Sequence, residues 1–220
     1  MLNVKFLKVV LSINEQSSIN IIGPYDFRGL FPCANVTMQL EMPGLESVLY
    51  GPDNVQYLLD VLHARLISIL TSDAKAVSGI PGDLGFVWNE VLQIKNNQGE
   101  TDHYAIAAWT EKKSLLLSNS SLCLETWLYV RDGVVHFDVT PVYRWHFNSP
   151  EPGERYISYD EFRSNYKPIA QLVISMATIK KWECKVAKLL KIIEKNQDKL
   201  NKKYKLGQYG PYGLKTRLTE

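Results

Sequence analysis

His136 and Asp138 stand two apart within Val134–Phe147, a stretch with the composition of a β-strand. Residues at i and i+2 of a strand share a face, so the pair has the layout of a general base with an orienting carboxylate. That would be hydrolase chemistry. The same spacing arises whenever two polar residues share solvent, and no nucleophile is signalled beside them. The other histidines are scattered. His63 falls on the polar side of a helix expected over 54–71, His103 sits beside a turn, and His146, in Tyr143-Arg144-Trp145-His146, reads as a strand residue. No H-x-x-x-H or H-E-x-x-H occurs, so a zinc site would need histidines from three distant places. The sequence therefore assigns no catalytic residue, no metal and no cofactor.

Nucleotide chemistry has no better footing. Neither a G-x-x-x-x-G-K-[ST] nor a G-x-G-x-x-G pattern is present. Gly79-Ile80-Pro81-Gly82-Asp83-Leu84-Gly85 is glycine-rich, but Pro81 lacks an N–H donor. The residues after it, Phe86–Lys95, read as a strand, whereas a phosphate cradle needs free N–H groups at a helix start. Cys33, Cys123 and Cys184 are odd in number, widely spaced and without C-x-x-C, which fits a reducing compartment and no disulfide framework.

Two surface features carry more. Residues 180–205 hold ten lysines against Glu183, Glu194 and Asp198, a local charge of +7. The remaining 15 basic and 20 acidic residues give −5, so a mildly acidic body carries one strongly basic helix. Clustered lysines suit phosphates, although arginine and planar rings, which do most base recognition, are not interleaved. A membrane-surface helix should show Phe and Trp on its apolar face, and only Trp182 qualifies. The plain alternative is a solvated face on a packed helix. The second feature is Glu151, Glu154, Tyr156, Tyr159, Asp160 and Glu161, with Phe162 and Tyr166 close by. Tyrosines among carboxylates make a patch suited to a basic protein partner; the alternative is a loop packing its rings on a sheet.

These groups must be placed by regular elements. Residues 3–14 and 34–42 read as strands, the latter alternating Val36, Met38, Leu40 and Met42 with Thr37, Gln39 and Glu41. Asn20–Cys33 reads as loop, with a short strand over Ile19–Ile22. Gly51-Pro52 breaks the chain, and Asp53 with Gln56 forms a capping-box pattern. The apolar stripe Val55, Leu58, Leu59, Leu62, Leu66, Ile69 and Leu70 then predicts a helix to about Thr71. Asn96–Gly99 reads as a turn, with a hairpin to His103–Thr110. Leu115–Leu117, Leu122–Val130 and Val134–Phe147 are expected strands, the last two joined by Arg131-Asp132-Gly133. Pro141 implies an edge or a bulge. Ser158 and Glu161 open a short helix to about Tyr166. A long amphipathic helix is expected from Pro168 to about Tyr204, its apolar face running from Ile169, Leu172 and Val173 to Ile193. The fold class is thus α+β: a mainly antiparallel sheet, one mid-chain helix and a long C-terminal helix.

At 220 residues the chain suits a single domain over 1–220, with its weakest joint near 96–101. Apolar residues make up 45% and charged residues 22%, which is globular usage. Lys5 and Lys8 interrupt what would be the core of a signal peptide, and no apolar run reaches the 18 residues of a membrane span. The expectation is a cytoplasmic protein.

Leu49-Tyr50-Gly51-Pro52-Asp53-Asn54-Val55-Gln56-Tyr57-Leu58-Leu59, followed by Gly82-Asp83-Leu84-Gly85-Phe86, resembles small bacterial immunity proteins of contact-dependent and polymorphic toxin systems. In those a sheet leads into a helix opened by Gly-x-Asp-x-x-Gln-x-Leu, and a Gly-Asp-Leu-Gly-Phe-like segment follows. The similarity covers roughly residues 34–90. Tyr57 stands where a small residue is usual, and the second half of this chain has no counterpart in the pattern. The resemblance implies stoichiometric binding of a cognate toxin domain, with a nuclease as the expected toxin, and no catalysis. Two other readings remain beside it: a nucleic-acid binder using the lysine face, and a hydrolase built on His136 and Asp138.

Overall fold

The computed structural model describes residues 7–23, 30–71, 82–98, 115–119, 123–146 and 149–204. Two four-stranded antiparallel sheets form the frame. The first is β1 (Leu7–Ser12), β2 (Ser18–Gly23), β3 (Asn35–Met42) and β4 (Leu45–Asn54), in sequence order. The second is β5 (Leu115–Asn119), β6 (Leu124–Arg131), β7 (Val134–Pro141) and β8 (Ala170–Ile174), also in order. Helix α1 (Val55–Leu70) leaves β4 directly. Helix α2 (Leu84–Gln98), the short α3 (Tyr159–Ser164) and the 29-residue α4 (Met176–Tyr204) complete the set. The architecture is α+β, as the strand and helix periodicities predict.

Alternation drives β3: Val36, Met38 and Leu40 are buried and enter the main core. On α1, Val55, Leu58, Leu59, Leu62, Leu66 and Ile69 bury one stripe. Each such side chain stabilises the fold by about 1.5–3 kcal/mol through removal from water. The stripe of α4 (Ile179, Trp182, Val186, Leu189, Ile193) joins the same cluster, which also takes Leu128, Phe137, Val139, Ala170 and Ile174 from the second sheet. That sheet's other face carries Trp127 and Tyr129, and these pack under α2 through Leu84, Trp88, Val91 and Leu92. The second sheet is therefore covered on both sides.

The structure corrects several expectations. Phe86–Lys95 is not a strand but most of α2. Asp83 accepts the Phe86 N–H at 2.8 Å, the geometry of a helix cap, and Leu84, Trp88, Val91 and Leu92 recur at helical spacing. Asn96–Gln98, expected as a turn, continues this helix; the matching strand His103–Thr110 lies outside the described residues. The long helix begins at Met176 rather than Pro168. Residues 170–174 instead extend the second sheet, with Ala170 facing Val139 and Ile174 facing Val135. Ile169, Leu172 and Val173 fit helical spacing, but Ala170, Leu172 and Ile174 fit a strand as well, and β7 supplies the pairing partner. Ser175 then caps α4, its Oγ accepting the Thr178 N–H at 3.1 Å.

The cap of α1 is Asn54, whose Oδ1 accepts the Tyr57 N–H at 3.1 Å. Gln56 reaches forward to Asp60 instead of back to a cap, and Gly51-Pro52 lies inside β4. His146 is not on a strand: it is buried in a 3-10 turn, Arg144–His146. His63, expected on the polar side of α1, is half-buried, and its Nε2 lies 3.2 Å from Glu183 Oε1 on α4. Two local signals match the structure closely. One is the Asp132-Gly133 turn, both residues at positive φ. The other is the Ser158 cap, whose Oγ accepts the Glu161 N–H at 3.2 Å.

Candidate interaction surface

The chain from Tyr143 to Tyr166 forms a ledge of aromatic rings, and Tyr143 anchors it. Its N–H donates to Asn89 Oδ1 at 2.7 Å. Asn89 is itself buried on α2 and donates to the carbonyls of Gly85 (2.7 Å) and Pro141 (3.0 Å). One side chain thus ties the exit of β7 to α2. The Tyr143 hydroxyl donates to the Ile157 carbonyl at 2.8 Å and lies 3.2 Å from the Tyr156 hydroxyl. Burial, then the contact with Tyr156, pushes the Tyr143 phenol well above its usual range.

Around this anchor the rings meet edge-on or tilted, the arrangement their quadrupoles favour. Tyr143 meets His146 at 5.1 Å, Tyr159 at 5.2 Å and Phe162 at 5.4 Å. Phe162 meets Tyr166, which meets Phe86 of α2. Trp145 packs on Tyr156 at 6.0 Å and carries the Arg144 guanidinium over its own ring at 5.0 Å. Tyr156 remains 56% exposed, and Ile157 next to it is also exposed.

The carboxylates divide into paired and unpaired. Glu154 meets Arg144 at 2.6 Å and Glu161 meets Arg155 at 3.2 Å. Glu90 of α2 accepts from the Tyr159 hydroxyl at 3.0 Å and from Arg163 at 2.9 Å. Among the described residues, Glu151 and Asp160 have exposed side chains and no ion pair. Of the six residues singled out in the sequence, Glu154, Tyr156, Tyr159 and Glu161 enter this network, while Glu151 and Asp160 stand at its outer edge. Tyr143, Trp145, Asn89 and the three arginines belong to the ledge without being marked by any motif in the sequence. Arg155 and Glu161 are six positions apart, a spacing that neither helix nor strand periodicity marks. Asn89, Arg144 and Arg163 have partners at longer separations and leave no signal either.

His136 and Asp138 do share the α2-facing side of β7, but they are not joined to each other among the described residues. Asp138 is 1% exposed, and its Oδ2 accepts the Tyr129 hydroxyl at 2.7 Å. Its Oδ1 is buried without a hydrogen-bond partner among the described residues. Burial raises the Asp138 pKa above the usual carboxylate range; the Tyr129 hydrogen bond opposes this, and the nearby Asp83 adds to it. His136 stacks on Tyr129 at 5.1 Å. Asp83 in turn accepts the Tyr166 hydroxyl at 2.6 Å and the Gln171 amide at 3.2 Å. The arrangement is a polar strut between α2, the second sheet and the ledge. Because Asp83 places a carboxylate at the start of α2, that helix terminus is already occupied by an anion.

Among the described residues no group of three or more His, Cys, Asp or Glu side chains is placed to hold a metal ion, and no helix is long and apolar enough to cross a membrane. Comparison of the chain with protein-family models, with curated proteins and with solved structures finds no match.

Proposed function

We propose that this protein acts by binding another protein through the aromatic ledge, as a cytoplasmic immunity protein that captures a cognate toxin domain and covers its active site. The observation that carries the reading is Tyr156: a large, exposed ring held in place from beneath by Tyr143 and from the side by Trp145. Tyr, Trp and Arg are the residues that dominate interface energies, and all three types meet here. Rings already locked by hydrogen bonds lose little conformational freedom on binding. The unpaired Glu151 and Asp160 favour a basic partner and would speed its capture. Nucleases carry basic surfaces for their substrate, so a nuclease toxin fits this charge.

The test is co-expression with the product of the adjacent upstream gene, which this proposal expects to carry a toxic domain. Cells should survive with the wild-type chain, and the purified pair should form a one-to-one complex. Trp145→Ala and Tyr156→Ala should each weaken it by about 2 kcal/mol or more. Survival without any complex, or a complex indifferent to both substitutions, would sink the proposal.

A further inference from the structure

We infer that the lysine face of α4 is a second binding surface, fitted to the phosphate backbone of double-stranded nucleic acid. It uses none of the ledge residues and does not depend on the proposal above. From Lys188 onward α4 presents about one lysine per turn: Lys188, Lys191, Lys195, Lys199 and Lys202, all exposed. Among the described residues none of these five forms an ion pair. At about 100° per residue they fall on one stripe, with Asp198 at its margin and Glu183 and Glu194 farther round the helix. Towards the helix start the stripe meets an open groove of about 780 Å³. The turn Ser12–Glu15 forms one wall, and Lys180, Lys181, Lys185 and Lys188 line the other. Among the described residues Glu15 is the one carboxylate in that lining. Lys185 is fixed there by donating to the Val10 carbonyl at 2.8 Å. From Lys180 to Lys203 the stripe measures about 35 Å at 1.5 Å per residue.

Charge decides the class of partner, and the missing residue types decide its form. An array of unpaired ammonium groups gains from neutralising phosphates and releasing their counterions. Single strands need exposed rings for stacking, yet the helix's tryptophan, Trp182, is buried in the core. Base edges are read mainly by arginine, asparagine and glutamine in bidentate contacts; α4 has no arginine, its Asn196 is buried and donates to the Leu30 carbonyl, and its Gln197 donates to Asn201. A straight ridge of point charges matches a straight duplex, one turn of which is about 34–36 Å long. Binding of this kind is independent of base sequence.

The experiment titrates the full chain into fluorescent duplex DNA of about 20 base pairs and measures anisotropy across a range of salt concentrations. Single-stranded DNA of the same length and anionic phospholipid vesicles serve as competitors. Binding should be tight at about 50 mM salt, fall steeply with added salt, and be equal for unrelated sequences. Replacing Lys188, Lys191, Lys195 and Lys199 by Gln, a comparable helix former, should weaken binding about tenfold or more at that salt. The log–log salt slope should drop by about 0.9 for each lysine removed. Circular dichroism checks that the variant is folded. Should it not be, the double replacement of Lys191 and Lys195 and the wild-type salt slope decide the matter. No binding to duplex at low salt, preference for single strands or vesicles, or a variant that binds as wild type would each overturn the inference.

Discussion

The Tyr129 hydroxyl donates to Asp138 Oδ2 at 2.7 Å across the β6–β7 ladder, and both side chains are almost wholly buried. The two residues are diagonal neighbours, since Tyr129 faces His136 and Trp127 faces Asp138. Tyr129 satisfies one oxygen of this carboxylate, while no hydrogen bond of ordinary geometry reaches the second among the described residues, and the Gln171 amide, which donates to Asp83, helps the charged form only weakly. The tyrosine's own phenol is held above the usual range by burial first and then by this hydrogen bond.

Asp138 should make the fold less stable as pH rises through its elevated pKa. Its native pKa lies above its unfolded one, so in that window the native state binds more protons than the unfolded state. Asp138→Asn keeps an acceptor for Tyr129 and removes the buried charge. It should therefore stabilise the protein at neutral pH, with the gain shrinking towards zero in acid. Urea midpoints across a pH series measure this; a gain that is constant with pH would contradict it. Tyr129→Phe should cost about 1–3 kcal/mol at neutral pH by leaving the carboxylate unsatisfied.

His146 has the opposite signature. Burial among Tyr143 and Tyr159 lowers its pKa to about 4, so the native state resists protonation. Its contribution is complete above the unfolded value near 6.5 and is lost as pH falls from there to about 4. The loss should reach about 3 kcal/mol, since each tenfold difference in proton affinity between the two states is worth about 1.36 kcal/mol. His146→Phe retains a ring and should flatten this acid limb, which the same urea series would reveal.

Gly85 lies against Thr140, and a Cβ there would collide with the threonine side chain. Thr140 cannot withdraw freely, because its hydroxyl accepts the Trp127 indole N–H at 2.8 Å. Gly85→Ala should then lift α2 from the second sheet and cost about 1–3 kcal/mol. Thermal unfolding would show a lower midpoint, and hydrogen exchange should rise first in α2.

Tyr143→Phe removes the hydroxyl that holds Ile157 and meets Tyr156. Stability should fall by about 1 kcal/mol. Complex formation should suffer more than Tyr156→Phe makes it suffer, because Tyr143 also positions the backbone at Ile157. Isothermal titration with the toxin domain compares the two, and equal losses would assign Tyr143 no positioning role.

Local chemistry made much of this fold legible in the sequence. The period-two pattern of Val36, Met38 and Leu40, the apolar stripe of α1, the Asp132-Gly133 turn and the Ser158 cap each depend on residues a few positions apart. Where two periods fitted the same residues, the tertiary partner chose between them. Residues 170–174 became a strand because β7 offered a ladder, and Phe86–Lys95 became a helix because Trp127 and Tyr129 offered a surface for its stripe. The candidate ledge divided in the same way. Its tyrosines and carboxylates were visible as composition, but their anchor was not. Asn89 and Tyr143 are 54 positions apart and meet only once α2 lies on the second sheet. A hydrogen bond across that separation leaves no spacing in the chain, because its geometry is set by packing rather than by the backbone between the two residues.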